Sequence, residues 1–179
     1  MFLFQQRRFD SSTLLRSLAY SIALSVRQAQ TYGSSVRQFG ATAQSFTYSY
    51  GVYFSNGASS YQLFADANSP QNQKYDSSPI DEKVQSFAIG NGYTIFQFCA
   101  ELNNGSLHCS TDSGGITWIS IYFKRPNPDA CFATSLNPGG CATYKSAYIR
   151  ISGPAAGTAD SRRITITSTG QITVGNLGS

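Results

Sequence analysis

The chain has 179 residues, of which only 12% are charged, with a net charge of +4. That length suits one domain with a real core, and no window reaches the ~18 consecutive apolar residues of a membrane span. Ser, Thr, Gln, Asn and Gly fill the surface instead of charge, a composition common in extracellular β proteins and unusual in cytosolic enzymes, while so mild a positive balance does not demand a nucleic acid or an anionic surface as partner.

The first element is a helix, expected over about 11–39. Met1-Phe2-Leu3-Phe4 is apolar, but Gln5-Gln6-Arg7-Arg8 ends the run before it reaches the 7–15 apolar residues of a secretory signal. Beyond it, Leu15, Leu18, Ile22, Val26, Ala29, Gly33 and Val36 recur at steps of three or four. They share one face of a 3.6-residue period and are the expected helix-to-sheet contacts. Asp10-Ser11-Ser12-Thr13 offers N-cap oxygens, and Gly40 a C-cap. Ala29, Gly33, Ser34 and Ser35 make the second half thin, so a sheet can approach it closely.

A β-rich body is expected over about 45–175. Phe46–Phe54 alternates aromatic with small residues, Asn56-Gly57 is a hairpin turn, and Ser60–Ala65 is the return strand. Asp66–Pro79 reads as a long polar loop. Lys83–Ile89, the turn Asn91-Gly92, Tyr93–Cys99 and the apolar run Gly115–Phe123 follow. Ser146–Ser152 and Arg163–Thr167 alternate cleanly, and Gln171–Val174 closes the chain after Ser168-Thr169-Gly170. Eight or nine short strands at hairpin spacing argue antiparallel sheets. One leading helix makes the expected class α+β, with residues 1–179 as one unit.

The four cysteines form two local pairs, Cys99 with Cys109 and Cys131 with Cys141. Of three connectivities, the local one is favoured because each pair brackets a turn, Asn103-Asn104-Gly105 or Asn137-Pro138-Gly139-Gly140. Zinc is the competing reading, but it needs closer spacing or histidines, and His108 is the sole histidine. Disulfides imply an oxidising compartment.

Catalytic patterns are thin. No G-x-S-x-G, H-E-x-x-H or P-loop occurs, and a Cys109–His108 pair vanishes if Cys109 is bonded. Asp66, Asp76, Asp81 and Glu82 crowd the long loop; calcium could use such carboxylates, but a solvated polar loop is the plainer reading. Lys124, Arg125, Arg150, Arg162 and Arg163 fall at or near strand ends and are the candidate DNA or anion contacts, with Tyr48, Tyr50, Tyr53 and Tyr148 as stacking partners. No catalytic, cofactor or metal role is assigned.

Several segments together resemble the bacterial type IV pilin-like proteins, closest to minor pilins and the H-type pseudopilins of type II secretion. They are Phe9–Gly33 with its helical pattern, Tyr50-Gly51-Val52-Tyr53-Phe54, Lys124-Arg125-Pro126-Asn127-Pro128-Asp129-Ala130, and the closing Ile166–Val174. The resemblance implies a pilin fold: a long helix whose C-terminal half packs on antiparallel sheet. It also implies a filament subunit rather than an enzyme, displayed at the cell surface or outside the cell, with other pilin or pseudopilin subunits as partners. The leader, the acidic fifth residue and the apolar half-helix of such families are missing before Phe9, so the chain reads as the soluble headpiece of a longer prepilin, reaching the inner membrane through a segment not in this sequence. A DNA-binding minor pilin and an unrelated secreted β-rich binding protein are the alternatives. The C-terminal Gly-Arg-x-Arg signature of DNA-binding relatives is absent.

Overall fold

A computed structural model describes residues 2–35, 37–40, 47–78, 82–90, 92–154 and 161–176, with residues 2–11 described by their backbone alone. Helix α1 spans Phe2–Ser34. The strands are β1 Tyr50–Ser55, β2 Ser60–Ala65, β3 Lys83–Ala88, β4 Thr94–Leu102, β5 Leu107–Cys109, β6 Trp118–Phe123, β7 Ala130–Thr134, β8 Tyr144–Ser152, β9 Ser161–Thr167 and β10 Ile172–Asn176. They form two five-stranded sheets, β3-β2-β1-β6-β7 (sheet A) and β10-β9-β8-β4-β5 (sheet B). Every strand pair is antiparallel.

This corrects the expected class. The protein is mainly β: strand takes 42% of the fully described residues and helix 23 of them. The helix does not lie on one sheet of an α+β pilin fold. It packs against β1, β6 and β2 of sheet A and also against β9, β10 and β8 of sheet B. The physical reason is the burial pattern. Val52, Phe54, Ile119, Ile121 and Phe123 face inward from sheet A. Phe98, Ile149, Ile151, Ile164 and Ile166 do so from sheet B, and Leu15, Ala19, Ile22, Val26 and Ala29 complete one shared core. A two-sheet core of this kind needs only one apolar stripe from the helix to close it.

The helix boundaries also differ from the sequence reading. Asp10–Thr13 lies inside α1 rather than capping it. The C-terminal end comes at Ser34, before the expected limit at 39, because the hydroxyls of Ser34 and Ser35 turn back to the carbonyls of Gln30, Thr31 and Tyr32, which competes with helix continuation. Gly33 fits its thin-face role: a Cβ there would lie 2.7 Å from both Cβ and the carbonyl oxygen of Phe123. Leu18 packs at the core edge. Val36, Phe46, Pro79, Asp81 and Asn91 lie outside the described residues.

β1 is the middle strand of sheet A, flanked by β2 and β6. Its Asn56-Gly57 turn into β2 places Gly57 at φ 72°, a conformation glycine adopts without steric cost. β5 and β7 had no counterpart in the sequence reading. β5 has three residues, too few for a pattern, and β7 (ACFAT) is buried on both faces, so it shows no alternation.

Candidate functional site

Four surfaces compete for a functional role: the two outer sheet faces, the free flank of the helix, and the cationic strand ends. The outer face of sheet A is roofed. Residues 66–78 fold over it, with the Tyr75 ring 5.9 Å from Tyr53 and 6.4 Å from Phe64. The loop after β7 joins in through the Cys131–Cys141 bond.

Asp66 and Glu82 are therefore not solvated, contrary to the plainer expectation, and Asp76 is only partly exposed. Asp66 and Glu82 are fully buried. Glu82 Oε1 accepts the amides of Ala67 (2.8 Å) and Asn68 (3.0 Å), and Oε2 that of Asp76 (2.9 Å). Asp66 accepts the amides of Asn72 and Gln73. Asp76 takes the side-chain amides of Asn68 and Asn72 and the Lys74 ammonium at 3.1 Å. Burial pushes Glu82 up to about 7 against those three amides, and the Asp66 charge adds to the rise. Burial likewise raises Asp66. Burial acts upward on Asp76 too, but Asn72 and Lys74 outweigh it and hold that carboxyl low. These oxygens face N–H donors, the wrong polarity for a calcium ion. Among the described residues no group of three His, Cys, Asp or Glu side chains is placed to hold a metal.

Cys99 is bonded to Cys109 and Cys131 to Cys141. The first bond joins directly paired positions on β4 and β5. No thiolate is left for His108, whose Nδ1 lies 3.0 Å from the Tyr144 hydroxyl; that hydroxyl meets Thr134 Oγ1, also at 3.0 Å. The pair once conceivable as a nucleophile is thus a disulfide beside a hydrogen-bonded histidine.

The five candidate cations divide between the sheets. Lys124 and Arg125 follow β6 at one end of sheet A, beside Thr47, Ser49 and Gln71. There the buried Asp66 carboxylate feels the Lys124 charge, and Lys124 Nζ lies 5.3 Å from the Tyr122 ring centre. Burial pushes the Tyr122 hydroxyl up to about 12. Arg150 and Arg163 sit directly opposite one another on β8 and β9. Arg162, next along β9, donates to Asn176. Of the tyrosines read as stacking partners, Tyr148 is covered by the Arg163 guanidinium at 3.9 Å, Tyr50 is in the core, and Tyr53 is against Tyr75. None of these three presents a free ring face to a base. Tyr48 stands edge-on to Phe39.

The helix carries a second apolar strip that the sequence reading missed. Leu14, Tyr20 and Leu24 are 50%, 56% and 71% exposed. Tyr20 and Leu24 are one turn apart and lie across the helix from Ile22 and Val26. The i, i+4 spacing of Tyr20 and Leu24 is the local signal for it. Beside Leu24 an open groove of about 390 Å³ runs between the helix and β3, lined by Ser21, Ser25, Gln28 and Phe87. Among the described residues no helix is long and apolar enough to cross a membrane.

No protein-family model matches the chain, no curated protein matches it, and no solved structure matches it.

Proposed function

We propose that this chain is a structural or minor subunit of a type IV pilus or a type II secretion pseudopilus, acting by helix-driven assembly with its β-rich head outward, and not as an enzyme. The observation that carries this reading is the exposed pair Tyr20 and Leu24 on the free flank of α1. An exposed tyrosine and leucine one turn apart on a helix are a surface for another helix, and here the occupant is the same helix of a neighbouring copy. The helical backbone also runs roughly 20 Å before Leu15, at 1.5 Å per residue, ahead of the first described side chain to enter the core. The two disulfides fit assembly outside the cytoplasm.

The test is cross-linking between copies in intact cells. All four native cysteines are bonded, so Tyr20→Cys and Leu24→Cys introduce the sole free thiols. A cross-linked dimer from each of these single-thiol variants, and none from Thr173→Cys on the outer face of sheet B, is the expected outcome. Monomer alone from both helix sites, in cells that assemble surface filaments, overturns the reading.

A further inference from the structure

We propose that the outer face of sheet B is a binding site for a phosphate-type oxyanion, gripped by Arg163 with Thr165 and Thr173 and attracted by the charge of Arg150 on the next strand. The inference is independent of filament assembly. Arg150 and Arg163 are paired across β8 and β9, so their Cβ atoms are about 4.5–5.5 Å apart, a spacing at which like charges repel. Each guanidinium is held in place by a ring. Arg150 lies 4.8 Å from the centre of Phe96, and Arg163 lies 3.9 Å from that of Tyr148. Phe96 reaches this position because it is the extra residue of an irregularity in the β4–β8 register between Ile95 and Gln97.

Glu101 is engaged by Lys145 at 2.9 Å and by the Ser146 hydroxyl at 2.8 Å, and these two hydrogen bonds, with the Arg163 charge in smaller part, hold its carboxyl low. Arg150 Nη1 donates to Gln97 Oε1 at 2.8 Å, a neutral partner. The Nε atoms of both arginines are buried with no hydrogen-bond partner, and a buried donor left unpaired costs about 1–3 kcal/mol. Each guanidinium is therefore oriented by stacking, and neither forms a salt bridge among the described residues.

The space beside them suits a small anion. The strand partner of Arg163 on its other side is Gly175, which has no side chain to cover the guanidinium. The resulting groove, about 300 Å³, is lined by Arg163, Thr165 and Thr173, and Arg150 stands one strand away. The Arg163 guanidinium and two hydroxyls supply more donors than the two oxygens of a carboxylate accept, and match the three or four of a phosphate. Because Tyr148 is capped by Arg163, no ring on this face is free to stack a base. Lys145 and Arg162 are already engaged, so no row of cations continues the site along a polyanion. The face therefore fits one oxyanion group better than a nucleic-acid backbone. The Lys124–Arg125 groove is the weaker candidate, since Asp66 faces it.

The experiment is a titration of the 179-residue chain, ¹⁵N-labelled at arginine, with inorganic phosphate at low ionic strength, followed by the Nε–H signals. The expected result is a saturable shift of the Arg150 and Arg163 signals, with affinity falling tenfold or more in Arg163→Gln and in Arg150→Gln. Arg163→Lys keeps the charge, loses the fork and should also weaken binding. A glycerol phosphate arm separates the sources of the group: tighter binding than phosphate points to an ester, equal or weaker binding to the free ion, and either supports the site. Three results overturn the proposal: shifts reproduced by chloride at equal ionic strength, tighter binding of acetate than of phosphate, or binding of a single-stranded oligonucleotide with a steep salt slope and no saturation by phosphate. The wild-type titration needs no variant, so a variant that fails to fold does not block the test.

Discussion

At the scale of single residues, two positions set clear expectations. Gly33 faces Phe123 so closely that an added Cβ meets a Cβ and backbone atoms, none of which is the far end of a flexible side chain. Gly33→Ala gains roughly 0.8–1 kcal/mol of helix propensity but overpacks a dense core at about 1–3 kcal/mol. The loss is expected to win, lowering the urea midpoint without changing its slope. Glu82 sets a pH dependence. Its carboxyl titrates near its ordinary value of 4.5 when unfolded and near 7 when folded, so between these values the folded chain binds the extra proton. The stability tied to Glu82 is whole below about pH 4.5 and is lost as pH rises through 7. Asp66 is raised and acts in the same sense. Asp76 is held low, so its contribution is present above its ordinary 3.8 and fades only in stronger acid. Denaturation midpoints between pH 5 and pH 8 should therefore decline, and Glu82→Gln should flatten that decline. A midpoint that rises over this range in the wild-type chain would contradict the assignment.

At the scale of elements, the short strands depend on covalent and loop devices. β5, at three residues, is well below the usual five or six, yet it keeps register because Cys99 and Cys109 are both paired and bonded. By the chain-entropy model a ten-residue loop contributes roughly 2.5–3 kcal/mol. Replacing both cysteines of either pair by serine is expected to lower unfolding free energy by about that much. Urea titration of the two double variants checks it, and reductant should remove both contributions from the wild-type chain and the one remaining contribution from each double variant. The helix is tied to both sheets by directed bonds as well as by packing. Ser25 Oγ lies 3.1 Å from the Tyr61 hydroxyl on sheet A. Gln30 donates to the carbonyls of Pro128 and Gly170, pinning the connection before β7 and the turn before β10. Ile22 is fully buried among these contacts, and Ile22→Ala should cost about 2–5 kcal/mol, measured the same way.

At the scale of the whole molecule, the arrangement divides the surface by role. Sheet A is covered on both faces, by the helix and sheet B inside and by residues 66–78 and the 131–141 loop outside. Sheet B packs its inner face on the same core. The faces left for partners are the free flank of α1 and the outer face of sheet B, which belong to the two proposals. They make separate demands: changes at Tyr20 or Leu24 should leave phosphate binding intact, and Arg163→Gln should leave cross-linking through α1 intact. A variant on either face that abolishes both readouts while remaining folded would mean the two faces form one site.

The helix stripe, most strand positions and the turn at Asn56-Gly57 were legible because each is a local periodicity or a local steric preference, read from neighbours in sequence. Leu15, Ile22, Val26 and Ala29 needed no fold to be recognised as a buried face. What no local pattern contains is which surfaces meet. The mainly β class arose because the helix closes a core between two sheets, a fact of long-range packing. The acids at Asp66 and Glu82 look solvated in sequence and are buried because their segment folds back over sheet A. Arg150 and Arg163 are thirteen residues apart in the chain, and only the register of β8 with β9 sets their charges side by side. Sequence by itself determined the periodic elements; tertiary structure alone decided the burial of charge and the pairing of distant residues, because both depend on contacts whose partners the chain brings together only on folding.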